Sequence, residues 1–138
     1  MITTVVFDLD DTLYDEIDYC RSGFAAVARF LAKVAPIACC DDVFGCLWRR
    51  FTGGNRTRTF NTALDELGIP YDDALVAQLV EVYRNHRPDL TLPTDSRGVL
   101  ETLGHSYRLA LLTDGFLPAQ RLKVEALGIA SSFAAIVY

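Results

Sequence analysis

Five carboxylates, Asp8, Asp10, Asp11, Asp15 and Glu16, fall within nine positions directly after the apolar run Val5-Val6-Phe7. Like charges at that density repel one another unless a cation or a shared proton relieves them. Asp8 and Asp10 are two residues apart, so in an extended chain their side chains share a face while Leu9 points to the other. Two such carboxylates can divide a reaction: one attacks an electrophile and the other trades protons. As hard oxygen donors they also suit Mg²⁺. The blander use of aspartates after a strand is to form turns and cap the next helix. Three of them, with Thr12, at one strand end argue for more than that. A calcium-binding EF-hand loop is excluded, because Leu13 would stand at its sixth position, where the turn needs glycine.

The elements that must position these acids follow from the apolar pattern. Residues 2–7 form a short β-branched run, too brief for a helix and apolar on both faces, as a central parallel strand would be. From Glu16 to Val34 the residues Ile17, Phe24, Val27, Ala28 and Leu31 recur at helical spacing, and Pro36 ends the run. Further helices are expected over 41–51, 56–67 and 72–86, punctuated by Gly53-Gly54, Gly68-Ile69-Pro70 and Pro88. Thr94 or Asp95 can cap a helix that stops at Gly104. Residues 109–112 make a second apolar strand, 118–127 a helix ending at Gly128, and 133–138 a third strand. The alternation implies a parallel sheet. The connection from residue 8 to residue 108 far exceeds one crossover helix, so it must hold a separate helical module. Both early strands end in polar turn sequences, "DLDDT" and "TDG", and in an open parallel sheet ligands bind beyond the carboxyl ends of the strands.

Composition narrows the function. A chain of 138 residues, 51% hydrophobic, is long enough for one compact domain or a core carrying an insertion. The net charge of −5 would repel a phosphate backbone, which argues against nucleic acid as a partner. No stretch approaches the roughly 20 apolar residues of a membrane span, and the N-terminus does not read as a signal peptide. Cys20, Cys39, Cys40 and Cys46 form no CxxC pair and have no neighbouring His. They read as reduced, semi-buried packing residues of a cytoplasmic protein.

"FDLDDTL" at 7–13 resembles the first signature of the haloacid dehalogenase-like hydrolases, a strand followed by DxDxT, and "LALLTDG" at 109–115 resembles the second. The stretch "QRLKVEALGIASSFAAIVY" is similar to the helix and third strand of the phosphatase branch with a helical cap. The resemblance implies an α/β Rossmann-like parallel sheet of about three strands, with core 1–14 and 92–138 and an α-helical cap at 15–91. It implies Asp8 as a nucleophile forming an aspartyl-phosphate and as a Mg²⁺ ligand. Asp10 would be the acid and base, with its main-chain carbonyl on the metal. Thr113 would bond the transferring phosphoryl group, helped by main-chain N–H groups near Asp114 and Gly115. Dehalogenases of this family lack a carboxylate two residues after the nucleophile, because a halide leaves without a proton. Asp10 therefore favours hydrolysis of a small phosphorylated metabolite.

The family's Lys and its final acidic cluster would follow the third strand, where the chain stops. The alternative to an active phosphatase is thus a truncated, catalytically silent member serving as a binding or assembly module. A first strand left at the sheet edge would suit a fragment, or pairing into a homo-oligomer. Asp114 is left out of the catalytic set, and Lys123, mid-helix, reads as solvent-facing. Arg49, Arg50, Arg56 and Arg58 read as a solvated basic face, His86 and His105 as surface residues near helix ends, and Trp48 with Phe44 and Phe51 as core packing.

Overall fold

The computed structural model describes residues 1–138. The chain divides into two compact units, Met1–Tyr19 with Arg87–Tyr138, and Cys20–His86.

The first unit is built on three short strands, β1 (Thr4–Phe7), β2 (Arg108–Leu112) and β3 (Ala135–Val137). They lie in the order β1-β2-β3 and are parallel throughout. Val5 stands opposite Leu109, and Ala110 opposite Ala135. Leu9, Leu100, Leu109, Leu111, Val124, Leu127 and Ile129 are buried beneath this sheet's helices and turns. β1 and β3 are shorter than the apolar runs suggest, beginning at Thr4 rather than residue 2 and at Ala135 rather than 133, while β2 begins one residue earlier than expected, at Arg108. β1 also lacks the two-sided burial expected of a central strand: it lies at the sheet edge, and Val6 is 59% exposed.

Two helices complete this unit, α5 (Thr94–Gly104) and α6 (Leu117–Leu127), numbered along the chain after the four helices below. The cap of α5 is Pro93, without a side-chain hydrogen bond, so neither Thr94 nor Asp95 caps it. α6 ends at Gly128, whose φ of 66° lets its N–H bond Glu125 while Ile129 N–H reaches the Val124 carbonyl.

The second unit is all helical: most of α1 (Glu16–Val34), then α2 (Cys40–Thr52), α3 (Thr59–Glu66) and α4 (Asp73–Asn85). Its core joins Phe24, Val27, Leu31, Val43, Leu47, Leu64 and Leu79. Phe44, Trp48 and Phe51 pack against this core, with Trp48 stacked on both neighbours. Two expectations fail here. His86 is buried at 7% exposure, its ring at the end of α4 with Nδ1 2.6 Å from the Tyr83 carbonyl oxygen. Cys39 is exposed rather than semi-buried, although all four thiols are free. Of the arginines, Arg49 and Arg50 both pair with Glu66, and only Arg50 is largely covered. Asp72 caps α4 by accepting the Leu75 N–H at 2.8 Å. Asp72→Ala is expected to cost about 1 kcal/mol, read as a lower thermal midpoint of the helical signal. No helix is long and apolar enough to cross a membrane.

Candidate active site

β1 ends where the acids begin. Leu9 is fully buried and its carbonyl accepts the N–H groups of Thr12 and Leu13 at 3.3 and 3.0 Å, which folds 9–13 into a tight turn. Around the buried Leu9, Asp8 is exposed and Asp10 half-buried, so the two carboxylates do not share one face as an extended chain would place them. Asp8 is exposed, and its Oδ1 accepts the Leu9 N–H at 2.8 Å. Asp11 takes the left-handed conformation at φ 54°, and its Oδ1 accepts the Glu16 N–H at 2.9 Å. Asp11 is thus committed to the start of α1, the capping use of an aspartate.

β2 supplies the second group. Thr113 is buried at 3% exposure and its N–H donates to the Val137 carbonyl at 3.0 Å. Asp8, Thr113 and Asp114 line one cleft of about 540 Å³ with Val6, Phe7 and Leu112, at the carboxyl ends of β1 and β2. Gly115 follows with φ 119°, a conformation essentially reserved for glycine. A Cβ there would also stand 3.4 Å from Gln120 Nε2. Gly115→Ala is therefore expected to cost about 1–3 kcal/mol, seen as a lower unfolding midpoint with the sheet content retained.

Asp10 is engaged elsewhere. Its carboxylate accepts from Lys123 Nζ at 2.8 and 2.9 Å, from the Tyr14 hydroxyl at 2.5 Å and from Gln120 Nε2 at 2.9 Å. Burial alone would push the Asp10 carboxyl up. The bonds from Lys123, Tyr14 and Gln120, with the Lys123 charge, outweigh it and hold the group below the usual carboxylate range. Held so, Asp10 rests as a carboxylate and is a weaker base than a free one.

Lys123 corrects the sequence expectation most plainly. It does not face solvent: it is 4% exposed, its ammonium lies 4.3 Å from the Tyr19 ring centroid, and Glu16 Oε1 is 3.8 Å away. An ammonium buried this far needs a partner, and Asp10 is that partner across 113 residues of sequence. Gln120 and Tyr14 also escaped notice. A signal existed: Gln120, Lys123, Val124 and Leu127 lie at helical spacing on the buried face of α6. Two polar residues on an apolar face point to a polar group opposite.

No three His, Cys, Asp or Glu side chains gather in a group able to enclose a metal ion. The Asp8 carboxylate and the Asp10 main-chain carbonyl are nevertheless hard oxygen donors of the kind Mg²⁺ takes. That ion is commonly held by one or two carboxylates, its remaining positions filled by water and substrate oxygens. The donor chemistry fits.

Parallel strands with polar groups gathered at their carboxyl ends are the construction of an α/β enzyme core. A family model described as haloacid dehalogenase-like hydrolase matches residues 2–138, and the chain belongs to that family. It is 31% identical over 150 aligned positions to the N-acylneuraminate-9-phosphatase of Homo sapiens, covering 99% of this chain and 60% of that protein. The rat enzyme of the same name is 30% identical over the same span. The chain therefore spans about three fifths of the length of these relatives. Among solved structures, a Thermotoga maritima protein assigned as a beta-phosphoglucomutase superposes with a TM-score of 0.66 at 19% identity, over 99% of this chain and 61% of that one. The hydrolase YfnB of Bacillus subtilis, solved with magnesium bound, gives 0.57 at 23%, over 98% and 62%. A 2-haloacid dehalogenase of Pseudomonas syringae gives 0.55 at 27%, over 99% and 64%.

Proposed function

We propose that the chain carries the nucleophile and proton-transfer groups of a Mg²⁺-dependent phosphatase acting on a small phosphate monoester. The observation that carries this reading is the sharing of one cleft by the exposed Asp8 and the buried Thr113, with a second carboxylate, Asp10, two residues on. The phosphatase relatives support the same choice over halide displacement.

In this reading Asp10 first takes up a proton, an Asp8 carboxylate oxygen attacks phosphorus, the ester P–O bond breaks, and the leaving oxygen takes that proton from Asp10. Water then attacks the phosphorus of the aspartyl-phosphate. Asp10 takes the water's proton, the acyl P–O bond breaks, and inorganic phosphate leaves with Asp8 restored. Thr113 bonds a phosphoryl oxygen, aided by main-chain N–H groups at Asp114 and Gly115, so that the group is aligned before attack. Mg²⁺, held by the Asp8 carboxylate and the Asp10 carbonyl, would neutralise charge on the phosphoryl oxygens. We assign the catalytic core to 1–14 and 92–138, and substrate choice to the helical segment 15–91, as a cap.

The test is a panel of phosphate monoesters offered with Mg²⁺ to the protein that contains this chain, followed by denaturing isolation of the phosphoenzyme. Turnover with a protein-bound phosphate released by hydroxylamine is expected. Phosphate stable to hydroxylamine, or activity on haloacids alone, sinks the reading.

A further inference from the structure

Three oxygens converge on one nitrogen in the first unit. Gln120 Nε2 lies 2.9 Å from Asp10 Oδ2, 2.8 Å from Thr113 Oγ1 and 2.5 Å from the Asp114 carbonyl oxygen. Gln120 is 3% exposed, so water cannot exchange for these partners. The polarity of the cluster is fixed by its members. An ionised carboxylate and a carbonyl only accept. Turned about, the amide would bring its own oxygen against both acceptors and leave the part-buried Asp114 carbonyl without this donor. The NH₂ group therefore occupies this spot.

An NH₂ has two hydrogens for the three oxygens. Asp10 is the partner that needs them least, because Lys123 and Tyr14 already donate to it. The hydrogens fall to the Asp114 carbonyl and to Thr113 Oγ1. A hydroxyl can donate or accept, but an amide nitrogen does not accept, so at this contact Thr113 accepts. Its own hydrogen is left for another acceptor, and Thr113 lines the cleft of Asp8.

We infer that Gln120 is a positioning residue for Thr113: by filling the acceptor side of Oγ1 it turns the hydroxyl hydrogen into a donor for an acceptor-only anion, a phosphoryl oxygen, beside Asp8. This rests on the phosphatase reading above. The same amide links the turn after β1 to the turn after β2, so one side chain sets the second group's polarity while touching the first group's proton carrier. A threonine whose hydrogen is already committed toward the cleft need not reorient when the anion arrives.

The experiment is calorimetric titration of the chain with inorganic phosphate in the presence of Mg²⁺. Thr113→Val is expected to weaken binding about tenfold and Gln120→Met by a similar factor, since each removes one charge-assisted bond or its orientation. In the Thr113→Val background Gln120→Met should add less than about twofold, because neighbouring groups acting as one unit are not additive. Thr113→Ser, which keeps the hydroxyl, should restore the full effect of Gln120→Met. Gln120→Glu puts a third acceptor among acceptors and should bind no better than Gln120→Met. Additive losses would mean that Gln120 acts by packing alone and would overturn the inference. Because a buried variant can fail to fold, the unaltered ¹⁵N-labelled chain gives an independent reading: the Gln120 side-chain amide hydrogens must exchange slowly and shift when phosphate binds. Signals at the position of a solvated amide overturn it equally. Absence of phosphate binding by the unaltered chain removes the phosphatase reading and this inference together. Binding that falls with Thr113→Val but ignores Gln120→Met removes the inference alone.

Discussion

Asp8→Asn is expected to abolish turnover of phosphate monoesters while leaving the fold intact. The fold should survive because Asp8 is exposed and an asparagine amide oxygen can accept the Leu9 N–H as the carboxylate does. Turnover should not, because a neutral amide oxygen is a poor nucleophile toward phosphorus and forms no stable acyl phosphate. Loss of a nucleophile costs on the order of 10⁴ to 10⁶ in kcat. The measurement is kcat on the best monoester of the panel, paired with trapping by beryllofluoride and Mg²⁺, which should place the mimic on the Asp8 carboxylate and nowhere in the variant. Turnover within about tenfold of the unaltered enzyme, small against the losses typical of nucleophiles, would move the nucleophile to another residue.

Lys123→Met should be the most destabilising of the single substitutions considered. Methionine keeps much of the stem that packs in the interior of α6, but it strands the Asp10 carboxylate, whose side chain is 23% exposed against 5% for Lys123. Removing one partner of a buried pair costs about 3–5 kcal/mol. The lower end is expected here, because Tyr14 still donates to Asp10. Chemical denaturation of both proteins, followed by the midpoint in urea, reads the difference.

Its pH dependence carries a sign. Asp10 is held below the usual carboxylate range in the folded chain, so the unfolded chain binds the proton more readily. The pair's contribution is complete above the ordinary carboxylate range and is lost as pH falls through the depressed folded value. The gap between the unaltered chain and Lys123→Met should therefore be widest near neutral pH and close in acid. A gap that stays constant down to pH values where carboxylates are protonated would mean that lysine contributes by packing, not by charge.

Much of this architecture could be read without coordinates. The helix over Glu16–Val34 has the bounds that its apolar spacing and Pro36 dictate, and the three parallel strands follow from short apolar runs separated by helical ones. Asp8 and Asp10 stood out because two acids at period two after an apolar strand have no use in a core. What escaped was long-range pairing. The partner of Lys123 is 113 residues away, and nothing in the local pattern of "QRLKVEAL" names it, so the default of a charged residue facing water prevailed. Gln120 was overlooked for the same reason. His86 looked like a surface residue because it sits at a helix end, yet it is buried, with Gly23 allowing the Tyr83 and His86 rings of its own unit to come close. Asp11 shows the opposite case: among the acids of the motif, the modest capping role was right for it.

The position of β1 at the sheet edge has a consequence for isotope exchange. In a parallel pair, alternate residues of the edge strand aim their N–H groups at the neighbour and the others away from it. Along Thr4–Phe7 only the amides aimed at β2 gain ladder bonds. β2, by contrast, is bonded on both flanks, giving the Arg108 N–H to the Thr3 carbonyl on one side and receiving the Ala134 N–H at the Leu109 carbonyl on the other. Deuterium should therefore enter β1 with a one-residue alternation of fast and slow sites, while Ala110 and Leu111, paired with strands on both sides, take it up slowly.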